Sequence, residues 1–130
     1  MLAAVTGKLV LCGTPIGNLG DVTERLREAL GEADLVYAED TRRAATLLRS
    51  LGVKAEVRSY FVGNEQRRAI ELGERLRAGD IIALISDAGM PSVADPGFSA
   101  VAAALEVRAE VTVVPGPSAV TTALAISGLP

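Results

Sequence analysis

The sequence has no histidine and a single cysteine, Cys12, among its 130 residues. Without histidine, and with one thiol, the usual transition-metal ligand sets cannot be assembled, so no metal site is expected. One thiol also excludes an internal disulfide framework and suits a reducing compartment, which makes a cytoplasmic protein the expectation. Long apolar runs are missing too. No window approaches the roughly 18 consecutive apolar residues that a membrane-spanning helix requires, and Met1 to Thr6 lacks the basic and apolar regions of a signal peptide. Positive charge is scarce: 13 Lys and Arg against 16 Asp and Glu leave a net charge of −3. A free-standing nucleic-acid binder normally shows the opposite balance, so only local arginine clusters are left to touch phosphate.

What is present is apolar. The hydrophobic fraction is 49% and the mean hydropathy +0.34, rich for one domain of this length, so some apolar surface is expected to be covered by a second domain or subunit. Five strand-like runs are read at Lys8 to Cys12, Leu35 to Ala38, Glu56 to Phe61, Ile81 to Ile85 and Val111 to Val114. Helical patterns lie between and after them. Asp21 and Glu24 predict a capping-box start for the first, with Val22, Leu26, Ala29 and Leu30 inward. The second runs from about Thr41 through Leu47, Leu48 and Leu51 to a stop at Gly52. Asn64 is read as the cap of a third that carries Ile70, Leu72 and Leu76 and ends at Gly79. Asp95 and Pro96 predict the start of a fourth, with Phe98, Val101, Ala102 and Leu105 inward. Ser118 caps a fifth, nearly all apolar from Ala119 to Ile126 and therefore expected to be buried.

Strict alternation of strand and helix, with strands apolar throughout, predicts an α/β fold: a mostly parallel five-stranded sheet with helices on both faces. The connections that lead from helix into strand are short and plain. Those that leave the strands carry the Gly, Pro, Asp and Asn, and ligands of open α/β sheets sit at that edge. Three such loops stand out: Cys12 to Gly20, Glu39 to Arg42, and residues 86–97, Ser-Asp-Ala-Gly-Met-Pro-Ser-Val-Ala-Asp-Pro-Gly. The bends at Gly17, Gly89 and Gly116 are expected to gather around one pocket.

Each loop has a plain reading beside the functional one. Gly13, Gly17 and Gly20 fit neither the G-x-G-x-x-G of dinucleotide folds nor a P-loop, so they serve as a tight turn or as a ligand contact. Asp40 is either a helix cap or, with Glu39 and Arg42, part of a cluster offering a base, a hydroxyl acceptor and a phosphate clamp. Asn64 and Glu65 carry the same ambiguity, and Arg67 and Arg68 read as a solvated helix face. Asp87 to Met90 place a carboxylate and bare backbone directly after a buried strand. Ser118 and Ala119 present helix N-terminal amides. Cys12 reads as a small core residue, because no histidine exists to activate it.

In order along the chain, Thr14 to Asp21, Ala38 to Arg42, Asn64-Glu65, Ser86 to Gly97 and Pro115 to Ser118 resemble the ribosomal RNA small subunit methyltransferase I family, a branch of the tetrapyrrole methylases. The resemblance implies S-adenosylmethionine-dependent methylation of a cytidine 2′-hydroxyl in 16S rRNA of the small ribosomal subunit. It also implies two α/β domains, with the donor in the cleft between them, and a homodimer. Residues 1–130 are then the N-terminal domain, with the C-terminal domain absent from this chain. By position the resemblance assigns Pro15, Ile16, Asp87, Ala88, Gly89, Met90, Ser118 and Ala119 to the donor. Asp40, Glu39 and Arg42 fall to catalysis, and Asn64 and Glu65 to the substrate. Two departures stand out: Phe61-Val62-Gly63 and Arg43 occupy positions where the family often has histidine, and Met90 stands where it commonly has threonine. A tetrapyrrole or other small-molecule methyltransferase, and an inactive ligand-binding or dimerisation module, are the alternatives.

Overall fold

The computed structural model describes residues 6–91 and 97–130. Strands and helices alternate as β1 (Lys8–Cys12), α1 (Glu24–Glu32), β2 (Leu35–Ala38), α2 (Thr41–Leu51), β3 (Val57–Ser59), α3 (Glu65–Arg77), β4 (Ile81–Ile85), α4 (Gly97–Glu106), β5 (Glu110–Val114) and α5 (Ala119–Ser127). The five strands form one sheet in the order β3-β2-β4-β1-β5, and every pairing is parallel. Register brings the strand ends level: Cys12 lies beside Val114, Leu11 beside Leu84 and Ala38 beside Ile85. All strand-exit loops therefore emerge at one edge.

Two cores flank the sheet. On one face Leu26 and Leu30 of α1 and Leu47, Leu48 and Leu51 of α2 pack against Val10, Val36 and Ala83. On the other, Leu72 and Leu76 of α3 and Ala100 and Ala104 of α4 pack against Leu9, Leu35 and Ile82. Alternate strand residues point to opposite faces, and β2 and most of β4 are buried along their length as a doubly covered strand must be. The chain thus leaves β1 and β2 toward one face and β4 toward the other. Such a reversal opens a crevice beyond the strand ends, here beside β4.

Several sequence expectations are corrected. The cap of α1 is Thr23, whose hydroxyl accepts from the Leu26 amide at 3.1 Å; Asp21 instead closes a single 3-10 turn, Leu19–Asp21. Asn64 occupies the cap position of α3 without making a side-chain cap bond. Strand β3 is shorter than the run from Glu56 to Phe61. Ile70 is exposed on α3. The expected start at Asp95 and Pro96 lies outside the described residues.

The inward face of α4 also differs. Phe98 and Leu105 are 77% and 61% exposed, and Ala102 is exposed too, while Gly97, Ala100 and Ala104 are buried. Small residues win that face because it must fit against both the sheet and α3, whose Gly73 lies opposite Val107. Helix α5 is the largest departure: none of its residues is buried, although Ser118 caps it as expected through the Thr121 amide. Apolar composition predicts burial only where something is available to bury against.

These assignments separate in unfolding experiments. Ala104→Leu overfills the contact and is expected to cost about 1–3 kcal/mol, whereas Leu105→Gln should stay within about 0.5 kcal/mol of the parent in urea denaturation.

Candidate functional site

Three strand-exit loops meet backbone to backbone. Thr14 and Gly89 form an antiparallel bridge, with Thr14 N–H donating to the Gly89 carbonyl at 3.0 Å and Gly89 N–H to the Thr14 carbonyl at 3.1 Å. The Thr14 and Ser86 hydroxyls, both buried, donate to the same Gly89 carbonyl at 3.4 and 3.3 Å. Gly89 has φ +79°, the left-handed region that glycine enters without a side-chain clash. The turn after β5 closes on the first loop: a Cβ on Gly13 would fall 2.5 Å from the Gly116 nitrogen, and one on Gly116 would fall 2.8 Å from the Gly13 carbonyl carbon. Glycine is required at both positions because the chains touch where side chains would stand.

The expectation about Gly17, Gly89 and Gly116 therefore holds in part. Gly17 lines a pocket at this edge, whereas Gly89 and Gly116, together with Gly13, make the close backbone contacts beside it.

Beside this junction lies an open pocket of about 390 Å³ whose walls include Thr14, Pro15, Gly17, Ala38, Asp40, Arg43, Leu47, Ser86 and Asp87. It sits in the crevice at the end of β4. Of the residues singled out from sequence, Pro15, Asp40 and Asp87 line it, and Glu39 adjoins it by accepting the Asp87 amide at 3.4 Å. Ile16 instead lies near Gly89, which in turn approaches the Pro117 carbonyl. Met90 packs its sulfur toward Gly13. Pro15, Asp40 and Asp87 thus stand at the pocket, and Ile16, Gly89 and Met90 at the junction next to it.

Asp40 is the cap of α2 and also stands on the pocket wall. Its carboxylate accepts the Arg42 amide at 2.9 Å. That backbone bond, aided by the Arg42 and Arg43 charges, holds the carboxyl below the usual carboxylate range. Arg42 itself extends into solvent, 3.6 Å from Asp40. The arginine that lines the pocket is its neighbour Arg43, which sequence reasoning treated only as a departure from the family pattern. Helical geometry held the signal, since α2 carries Arg43, Ala44 and Leu47 around the face that meets the pocket.

Asn64 and Glu65 are engaged within the fold. Asn64 accepts the Phe61 amide at 2.9 Å and donates to the Ser59 hydroxyl at 3.0 Å, and the Glu65 carboxylate accepts from the Ser99 hydroxyl at 3.0 Å. Cys12 is fully buried and its thiol is pushed up to about 12 by that burial, which removes it as a nucleophile. Among the described residues no cluster of side chains is arranged to hold a metal ion.

The family described as Tetrapyrrole (Corrin/Porphyrin) Methylases matches residues 8–130. The chain belongs to the tetrapyrrole methylase family. It is similar to the ribosomal RNA small subunit methyltransferase I of Thermotoga maritima, at 46% identity over 95% of this chain and 56% of the relative. The enzymes of the same name from Synechocystis, at 47% identity, and Escherichia coli O157:H7, at 44%, are covered over 44% and 43% of their lengths. The chain spans about half the length of the curated relatives it matches. Among solved structures, the uroporphyrin-III-C-methyltransferase of Thermus thermophilus matches with a TM-score of 0.71 at 26% identity, over 95% of this chain and 54% of the other. Diphthine synthase matches with a TM-score of 0.68 at 21% identity, a likeness of fold alone.

In this tetrapyrrole methylase chain the loop junction has no room for one added carbon. Gly13→Ala is expected to destabilise the chain by about 1–3 kcal/mol, through overpacking against rigid backbone. Hydrogen exchange at the Thr14 and Gly89 amides should accelerate more than at β2 amides; equal effects at both would place the damage elsewhere.

Proposed function

We propose that the chain is the N-terminal half of an S-adenosylmethionine-dependent RNA 2′-O-methyltransferase acting in the cytoplasm, as a homodimer, on a cytidine of 16S rRNA in the small ribosomal subunit. The observation that carries this reading is the pairing of a loop junction where glycine backbones touch with a pocket that holds a carboxylate and an arginine. The names and 44–47% identities of the curated relatives favour an RNA acceptor over a tetrapyrrole, whose solved methylase stands at 26%.

The residues present fit the donor. Pro15 and Ile16 offer a stiff apolar wall, Asp87 an exposed carboxylate for polar groups, and the first turn of α5 free amides for a carboxylate. When bound, the donor supplies an activated methyl group on a sulfonium. Transfer to a ribose hydroxyl would need that oxygen held in line with the methyl group and its proton passed to a carboxylate such as Asp40 or to solvent. Alignment is the main requirement, with effective molarities equivalent to about 7–11 kcal/mol in favourable cases. In this reading Asp40 accepts the hydroxyl's hydrogen bond and orients it, while Arg43 and Arg42 meet RNA phosphate. A general base contributes about 10²–10⁴-fold, and Asp40, held below the usual range, sits at the weak end of that scale.

The test is tritiated methyl transfer from S-adenosylmethionine to small subunits lacking the modification, with a porphyrinoid acceptor in parallel. Incorporation into the porphyrinoid alone rejects the RNA reading. In the complete enzyme Asp40→Asn is expected to keep thermal stability, since asparagine caps as well as aspartate, and to lower kcat at least ten-fold. An unchanged rate returns Asp40 to capping alone. The 130-residue chain by itself is predicted to bind the donor only weakly, and micromolar affinity by calorimetry would refute the shared-cleft placement.

A further inference from the structure

The chain has two tyrosines, two phenylalanines and no tryptophan, and the fold treats the two pairs differently. Tyr37 and Tyr60 are buried, with rings edge to face at 5.3 Å. Phe61 and Phe98 are 46% and 77% exposed. The two exposed rings belong to one corner of the molecule, because the residues next to them are joined directly. The Tyr60 and Ser99 hydroxyls are 2.7 Å apart, and Ser99 also reaches Glu65 at 3.0 Å.

Phe61 is held in place. Its amide donates to Asn64 Oδ1 at 2.9 Å, and its carbonyl accepts the Asn64 amide at 3.0 Å. The loop is anchored behind it, with Asn64 Nδ2 on the Ser59 hydroxyl at 3.0 Å and Arg68 Nε on the Ser59 carbonyl at 2.9 Å. A Cβ on Gly63 would lie 2.5 Å from Phe61 Cε2, so the ring rests directly on the Gly63 backbone. One side of the ring is seated and nearly half of the side chain stays accessible. Alongside is a depression of about 510 Å³ lined by Val62 to Arg67, with the Gln66 and Arg67 side chains exposed.

A fixed, half-open aromatic ring beside an amide and a cation suits an unpaired nucleobase. Every base offers a π-face for stacking, single-stranded RNA is recognised through such splayed bases, and a guanidinium pairs with the adjoining phosphate. Strand β3 pairs with β2 in register, Ser59 beside Ala38, so this corner opens on the same edge as Asp40.

We propose that Phe61 and Arg67 form a stacking subsite for an unpaired base of the RNA acceptor, one strand away from the pocket that holds Asp40. The inference rests on the RNA reading given above. It moves Asn64 and Glu65 from substrate contact to positioning: Asn64 fixes Phe61, and Glu65 fixes the α4 corner through Ser99.

Phe61→Trp gives the 130-residue chain its sole tryptophan, and therefore a direct reporter. With a short fluorescein-labelled single-stranded oligoribonucleotide at low salt, tryptophan emission is expected to be quenched along the same isotherm as probe anisotropy. Phe61→Leu should weaken binding about ten-fold with little change in thermal unfolding, and Arg67→Ala should lower the salt slope by about one. Binding without quenching, together with an unaltered Phe61→Leu isotherm, overturns the subsite and leaves the RNA reading intact. Failure of the parent chain to bind the probe overturns the subsite and leaves the RNA reading to the methyl-transfer assay. Emission that changes with protein concentration in the absence of RNA gives the corner to a second copy and also overturns the subsite.

Discussion

The strand-exit edge depends on one contact: the backbone of the β1 exit loop lying directly against the turns that follow β4 and β5. At Gly13 and Gly116 the separation leaves no room for a methyl group. At Gly89 one carbonyl takes the Thr14 amide and is approached by the Thr14 and Ser86 hydroxyls. Polar groups this deeply buried are costly unless paired, so the bridge both satisfies them and forbids the loops from separating cheaply. The result is a set of loops with the rigidity of a strand pairing. Preorganised positioning of that kind is what a reaction governed by alignment requires.

The sheet order decides what surrounds the junction. Because β4 is central and sends its chain to the opposite face from β1 and β2, the crevice falls beside the buried strand that carries Ser86 and Asp87 at its end. Helix α2 supplies the far wall, and its own packing through Leu47, Leu48 and Leu51 fixes where Asp40 and Arg43 stand. Across the sheet, polar ties replace part of the apolar packing. Glu71 on α3 accepts from the Tyr37 hydroxyl and pairs with Arg58 and Arg68 at 3.0 and 3.2 Å. Burial works against that carboxylate, but the hydroxyl and the two guanidiniums outweigh it and hold it below the usual range. Its contribution to stability is present above the ordinary carboxylate pKa and fades as pH falls through the lowered value. The same layer anchors Phe61 and the start of α4, so the exposed rings stand on a braced surface.

Much of this was legible in the sequence, for identifiable reasons. Short apolar runs alternating with helical patterns suit strands covered on both sides, so the parallel sheet and the edge where its loops gather followed from pattern. Gly52 ended α2 as its left-handed conformation demands, at φ +70°. The misreadings share one cause. Periodicity shows that a helix has an apolar face without showing which face meets a neighbour. In α4 the small residues Ala100 and Ala104 won the contact over Phe98 and Leu105, and in α5 a nearly all-apolar helix lies on the surface of the chain. Local capping chemistry was equally underdetermined, since Asp21 and Thr23 both suit a helix start and only the observed 3-10 turn separates them. Arg43 and Phe61 were noticed only as departures from a family pattern; where they stand appears only when loops from different strands are brought to one edge.

In the reading proposed above, Asp40 joins a structural and a chemical role in one side chain. The amide it caps draws its carboxyl below the usual range, so it is charged at neutral pH and stays charged well into acid. A carboxylate stabilised in this way orients a hydroxyl well and removes its proton poorly, because basicity falls with pKa. If the cap were weakened to raise the basicity, α2 would lose its first-turn anchor and Arg43 its fixed position on the pocket wall. Under the proposed function the fold has therefore traded proton-transfer strength for placement. That trade is favourable only when approach geometry limits the rate, the same condition under which a junction of bare glycine backbones is the right way to build the neighbouring loops.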